Sequence, residues 1–204
     1  MQCLVCDKVI EDTFMSLFDK ESKICYECLN KFKIRNERFV IDGVEVFILY
    51  YYNDFFKDVL YRYKGCYDYV LKDIFINFNL GKLRKKYKGY SIVLAPSSND
   101  SEAKRGFNHL EEIFKCLKIP IIKCFYKSKE WKQSDKKLDE RRDIQKIIKI
   151  DKSCLKDIKK VLLVDDVLTS GSTIKAMIQQ LPIKIDKKVL ILSSNCRFLT
   201  NEII

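Results

Sequence analysis

Apolar positions recur along this chain with two different periods, and the switches between them mark out its predicted elements. Short apolar runs of strand length occur at Tyr90–Ala95, Ile119–Tyr126, Lys160–Val164 and Lys188–Ser193. Between them lie segments of helical period at about Ser101–Leu117, Asp139–Lys149 and Ser172–Leu181. Apolar strands alternating with amphipathic helices predict an α/β protein with a parallel sheet, flanking helices and right-handed crossovers. Upstream, Arg38–Tyr50 carries two apolar runs around Asp42-Gly43, the strongest short hairpin signal. Such a hairpin would join two domains. Asn53 is placed to cap a helix ending near Lys64-Gly65, and another apolar-periodic segment spans Tyr67 to Phe78.

A length of 204 residues allows one α/β domain with a small appendage. No apolar run approaches the roughly 18 residues of a membrane span. Met1-Gln2-Cys3 opens straight into a cysteine pair, without a basic stretch or an apolar signal core. The expectation is a cytoplasmic chain with no membrane span. Neither an internal repeat nor a low-complexity tract interrupts it.

Nine cysteines cannot all pair. Cys66, Cys116, Cys124, Cys154 and Cys196 stand singly and read as reduced, mostly buried thiols. The other four form Cys3-x-x-Cys6 and Cys25-x-x-Cys28, separated by 18 residues. That spacing suits a four-thiolate structural zinc site, and the segment between the pairs has too little apolar content to fold without a staple. Either pair alone would also suit redox chemistry.

The net charge of +11 is unevenly spread. Up to Asp42 there are seven Lys or Arg against eight Asp or Glu, which leaves +12 on the remainder. The densest run holds Lys82, Arg84, Lys85, Lys86 and Lys88, with Tyr87 and Tyr90 beside them. Tyr50, Tyr51, Tyr52, Phe55, Phe56, Tyr61 and Tyr63 lie upstream. Cations interleaved with aromatic faces suit single-stranded nucleic acid, and a lysine-rich solvated loop reads equally well.

The most informative stretch is Val161 to Met177. A buried strand ends in Asp165-Asp166, which can accept from vicinal ribose hydroxyls at the carboxyl end of a parallel sheet. Thr169, Ser170, Gly171, Ser172 and Thr173 follow, giving hydroxyls, backbone N–H groups and one residue free to take positive φ at a helix N-terminus. Such a turn can cradle a phosphate. The plainer alternative, a βα turn capped by Ser or Thr, requires neither the paired acids nor a hydroxyl on nearly every loop residue.

This stretch resembles the phosphoribosyl-diphosphate motif of type I phosphoribosyltransferases. The resemblance implies Asp165 and Asp166 on the ribose hydroxyls, as the catalytic pair if the site turns over, and Thr169, Ser170, Gly171, Ser172 and Thr173 around the 5-phosphate. It also implies that the loop Pro96-Ser97-Ser98-Asn99-Asp100 would hold the diphosphate. That loop lacks the basic residue often seen there, so neutralisation falls to Lys104, Arg105 or a mobile hood. Arg105-Gly106-Phe107-Asn108 narrows the resemblance. Together with the cysteine pairs, a polar hood segment containing Gln133 and Arg141, and the ribose-phosphate loop, it is similar to the ComF family of bacterial competence proteins. The likeness implies a zinc ribbon at 1–42 and a phosphoribosyltransferase-like domain at 43–204, with Arg105, Asn108, Gln133 and Arg141 as site candidates. Ile144 stands where that family commonly has Asn. Trp131 suits either stacking on a base or packing on the core. His109, the only histidine, is assigned to helix packing or a surface hydrogen bond.

The expected function is therefore that of a competence protein assisting internalisation of single-stranded DNA at the inner face of the membrane. The family implies a ComF-family helicase-like ATPase as partner and a pocket for ribose 5-phosphate or phosphoribosyl diphosphate. An active phosphoribosyltransferase using Mg²⁺ with the diphosphate is the alternative. A zinc-ribbon transcription regulator has no helix-turn-helix signal behind it.

Overall fold

A computed structural model describes residues 1–10, 23–76, 79–97, 99–128 and 147–195. After the first cysteine pair, helix α1 (Tyr26–Lys31) leads into strands β1 (Ile34–Ile41) and β2 (Val44–Tyr51), then helix α2 (Asp54–Gly65). A 3₁₀ turn (Tyr69–Ile74) and helix α3 (Leu80–Lys86) precede β3 (Ser91–Leu94), α4 (Asn99–Arg105) and α5 (His109–Phe114). The remainder comprises β4 (Ile121–Ile122), β5 (Phe125–Lys127), β6 (Ile148–Ile150), β7 (Lys160–Leu168), α6 (Ser172–Gln180) and β8 (Asp186–Ser194).

Six strands form one sheet in the order β1-β2-β8-β7-β3-β4. Every pairing in it is parallel except the β1–β2 hairpin. Asp42 and Gly43 take φ of 47° and 75°, the left-handed pair that a two-residue hairpin turn requires. The hairpin does more than connect: β2 pairs with β8, so the expected linker supplies two strands of the sheet. Asn53 accepts from Phe56 N–H at 2.8 Å and caps α2 as its position predicts.

Val161–Val164 are fully buried, as expected for a central strand covered on both faces. A second concentration of apolar area lies under α2, where Phe32, Tyr50, Phe56, Tyr63 and Phe75 pack ring against ring. Arg62 donates to the carbonyl of Val5 at 2.8 Å and ties the cysteine-rich segment to this layer.

Four predicted elements differ. The helix expected over Ser101–Leu117 breaks at Gly106, whose φ is 79°, and restarts where Asn108 accepts from Glu111 N–H at 3.0 Å. The strand expected over Ile119–Tyr126 splits, with β4 on the main sheet and β5 pairing β6 in a separate ribbon. Ile148 and Lys149, assigned to the end of a helix, belong to that strand β6 (Ile148–Ile150), whose buried-exposed alternation has the strand period. Most of the predicted Asp139–Lys149 helix and Trp131 lie outside the described residues. Strand β7 runs past Val164 to Leu168, because β8 keeps pairing with it as far as Ser194. Both acids are therefore in the strand.

Strand order fixes where a ligand site can form. From β3 the chain proceeds to β4 on one side, and from β7 to β8 on the other, so the sheet's topological switch point lies between β3 and β7. β3 ends at Leu94 while β7 continues, which opens a crevice at the carboxyl ends of the strands.

Candidate functional site

That crevice holds a cavity of about 280 Å³. The turn after β3 contributes Ala95, Pro96 and Ser97; α4 and α5 contribute Ser101, Arg105 and His109; β7 and α6 contribute Asp165, Asp166 and Thr173. Two more cations reach in from distant segments, Lys64 at the end of α2 and Lys127 at the end of β5.

Asp166 is held on all sides. Its Oδ1 accepts from Val167 N–H at 2.7 Å, and its Oδ2 accepts from His109 Nε2 at 2.9 Å and from the Lys64 ammonium. The Arg105 guanidinium, which can only donate, lies 3.0 Å from His109 Nδ1. This fixes the imidazole as the neutral tautomer with its proton on Nε2. Burial pushes the His109 pKa below its ordinary value, in keeping with that tautomer. Arg105 also donates from Nε to the Lys64 carbonyl at 3.2 Å, closing a ring of contacts.

The two carboxyls diverge. Burial opposes the Asp166 charge, but the His109 hydrogen bond and the charge and hydrogen bond of Lys64 outweigh it and hold Asp166 below the usual carboxylate range. Burial, then the neighbouring Asp166 charge, pushes Asp165 up to about 8. Three cations, Lys64, Arg105 and Lys127, thus face two carboxyls, one of which resists ionisation. The surplus of positive charge suits a polyanion.

Asp165 Oδ1 accepts from Asp166 N–H at 2.9 Å. Beyond β7, Gly171 takes φ of 72° and starts α6, while Ser170 and Ser172 hydroxyls lie 2.8 Å apart. Thr169 and Ser170 are exposed, and of the loop only Thr173 lines the cavity. Ser97 and Arg105 line it as well, whereas the Asn108 side chain is used to cap α5. Ser98, Gln133 and Arg141 lie outside the described residues.

Sequence reasoning missed Lys64, His109 and Lys127 as site residues. His109, assigned to packing or a surface contact, is buried and bonded to Asp166. Its position four residues after Arg105 was the available signal. The two lysines had none, because lysine is common throughout the chain.

The basic run is partly absorbed by the fold. Arg84 donates to the Cys116 carbonyl, and Lys86 pairs with Glu45 at 3.4 Å while lying 4.1 Å over the Phe47 ring. Lys82, Lys85 and Lys88 are exposed. Of the upstream aromatics, Tyr50, Phe56 and Tyr63 are core residues with no face for a nucleobase, whereas Tyr51 and Tyr61 are exposed.

The four N-terminal cysteines form a separate centre. All four sulfurs lie within 4.8 Å of one another, and the Cys6 and Cys25 sulfurs are 3.8 Å apart. A tetrahedral site with metal–sulfur bonds of about 2.3 Å spaces its sulfurs about 3.8 Å apart, so the set can hold a metal ion. Burial works against a Cys3 thiolate, but backbone N–H groups of Cys25, Val5 and Cys6 lower its pKa to about 7. Cys66, Cys116, Cys124 and Cys154 are free thiols as expected, but only Cys124 is buried, so the expectation of mostly buried thiols does not hold; Cys196 lies outside the described residues.

A mostly parallel sheet with a cationic, acid-floored cavity at its switch point, joined to a four-cysteine unit, defines an α/β protein with a ligand crevice at the sheet's carboxyl edge and an N-terminal cluster that can hold a metal ion. No family model matches the sequence. The chain is 31% identical over 200 residues to competence protein ComFC of Streptococcus pneumoniae (strain ATCC BAA-255 / R6), spanning 85% of this chain and 90% of that protein. It is 27% identical over 204 residues to ComFC of Bacillus subtilis (strain 168), spanning 84% and 85%. The chain belongs to the ComFC family of competence proteins. A hypoxanthine phosphoribosyltransferase structure from Staphylococcus aureus overlaps 60% of this chain and 61% of its own, at 15% identity and a TM-score of 0.34. Among the described residues, no helix is long and apolar enough to cross a membrane.

Proposed function

We propose that this chain assists internalisation of single-stranded DNA during competence, and that its cavity takes a ribose 5-phosphate or phosphoribosyl diphosphate group. The observation that carries the pocket reading is the meeting of Asp165, Asp166 and Thr173 with Lys64, Arg105 and Lys127 in one cavity. The competence reading rests on the relatives' names and lengths. In this account the protein works at the inner face of the membrane with a ComF-family helicase-like ATPase.

Vicinal hydroxyls of the ribose donate to Asp165, while Asp166 stays fixed by His109 and Lys64. The 5-phosphate sits against the N-terminus of α6 and the Thr173 hydroxyl. A diphosphate on the anomeric carbon lies toward Ser97 and Arg105, where Lys64 and Lys127 offset its charge. Mg²⁺ would accompany the diphosphate and help neutralise its charge, with Asp165 as the carboxyl available to hold it. The metal of the four-cysteine centre is zinc in a structural role, since all four positions are thiolates and none is left open for substrate.

The cationic surplus also favours a second reading, transfer of the phosphoribosyl group. A nitrogen nucleophile would then bond to the anomeric carbon as the carbon–oxygen bond to diphosphate breaks, and the cations would stabilise the departing anion.

Two assays separate the readings. Single-stranded DNA binding that weakens steeply with salt, without diphosphate release over a panel of bases, supports the DNA role. Release with any base supports transfer, and salt-independent or undetectable DNA binding would sink the DNA role.

A further inference from the structure

We infer that a second hollow, on the exposed face of α2, receives the flat ring of a nucleobase belonging to the ligand whose ribose phosphate occupies the cavity. This rests on the ribose-phosphate reading and extends it to a part of the ligand that the cavity itself leaves without partners.

The hollow has a volume of about 680 Å³ and shares Lys64 and Arg105 with the smaller cavity. Topology explains why they adjoin. β2 ends at Tyr51 beside Ser194 of β8, so Tyr52 and the start of α2 leave the sheet at the same edge as Asp165 and Asp166. Ten residues after Asp54 the helix delivers Lys64 to Asp166. The helix thus roofs the carboxyl edge of the sheet, and the hollow opens beside the ribose carboxylates.

Its walls suit a base. Tyr52 and Tyr61 supply aromatic surface, and Tyr61 is 65% exposed. A Cβ at Gly65 would lie 2.8 Å from Cε2 of Tyr61, so the glycine gives the ring room to lie along the last turn of α2. A ring held this way presents a face on which any base can stack.

Charge sets the orientation. Asp54 and Asp58, in the first half of α2, flank Lys57 and accept from amino groups or ring N–H, and their negative charge outweighs that of the lysine, which disfavours phosphate at that end. Lys64 and Arg105 close the end nearest the cavity. A nucleotide therefore enters with its phosphate toward the cavity and its base toward the tyrosines. Bases with an exocyclic amino group, as in adenine, satisfy the carboxylates better than uracil does.

Calorimetric titration of the full chain with ribose 5-phosphate, AMP and UMP tests this. AMP is expected to bind about tenfold more tightly than ribose 5-phosphate, with UMP between them. Tyr61→Ala, an exposed substitution, should erase the AMP advantage and leave ribose 5-phosphate binding unchanged. Gly65→Ala, which displaces the ring while keeping the helix, should reduce the same advantage. Equal binding of AMP and ribose 5-phosphate, or an advantage that survives Tyr61→Ala, overturns the inference while the cavity assignment stands. Failure of ribose 5-phosphate to bind overturns the cavity assignment and this inference with it.

Discussion

His109 donates from Nε2 to Oδ2 of Asp166 across 2.9 Å, and the Arg105 guanidinium on its other nitrogen leaves it only the neutral tautomer for doing so. A second proton would place an N–H against the guanidinium. The unfolded chain protonates this histidine near pH 6.5, whereas the folded chain, with the group buried, does so only at lower pH. The unfolded state therefore binds more protons in that window, and stability falls as pH drops below about 6.5. Between pH 7.5 and 5.5 the wild-type melting temperature should fall by about 2–4 °C more than that of His109→Gln. Equal losses in the two proteins would show that His109 is not neutral in the folded state.

Lys64 bonds to Asp166 from a helix about one hundred residues away in sequence, so the pair fastens α2 to the central strand. Its side chain is 32% exposed and that of Asp166 only 9%, so the cost falls mainly on the carboxylate. Lys64→Met should destabilise the fold by about 1–2 kcal/mol, below the full cost of breaking a buried pair because His109 and Val167 N–H remain. Adding Asp166→Asn should recover part of the loss. Denaturant unfolding of the four proteins of the cycle measures it, and strict additivity would contradict the pairing.

Gly171 carries φ of 72° at the start of α6, in the loop assigned to the 5-phosphate. An added Cβ would meet Ile41 Cδ1 at 3.6 Å, an ordinary contact, so the penalty of Gly171→Ala is the backbone's own, about 1–2 kcal/mol. Chemical denaturation should show that loss. Ribose 5-phosphate affinity should fall by at least tenfold, since the N–H groups that would meet the phosphate shift with the turn.

The four-cysteine centre should carry zinc near one per chain, as one four-thiolate set allows. Elemental analysis checks the stoichiometry. Cys25→Ser or a strong chelator should lower solubility and raise amide exchange around α1. A metal-free, well-folded native protein would refute the assignment.

Sequence carried the sheet because Val161–Val164 can be apolar throughout only in a strand covered on both faces, and Asp42-Gly43 and Asn53 each have one local role. The site was legible where its residues are adjacent, as in Asp165-Asp166 and the turn to Thr173. It was not legible where the fold imports single side chains. Lys64 and Lys127 resemble any other lysine in a chain with 39 Lys and Arg, and only the roofing of the sheet edge by α2 gives Lys64 its place. Ile148 and Lys149 were misread because a three-residue strand cannot be told from a helix end. The run from Lys82 to Lys88 read equally as a nucleic-acid surface or a solvated loop, and neither reading foresaw that Leu80–Lys86 forms α3, with Leu83 buried and Lys82 and Lys85 outside.

The account turns on whether Asp165 and Asp166 hold a ribose phosphate. Calorimetry with phosphoribosyl diphosphate and Mg²⁺ tests this most directly, on wild type, on Asp165→Asn, and on the variant carrying both Asp165→Asn and Asp166→Asn. Asp165→Asn removes a half-buried carboxyl whose pKa is pushed up, and its amide oxygen can still accept from Asp166 N–H, so the variant should remain folded and report on binding alone. Saturable wild-type binding, weakened at least tenfold by Asp165→Asn and abolished in the double variant, is the predicted result. Undiminished binding by the double variant, or none by the wild type, would contradict the assignment.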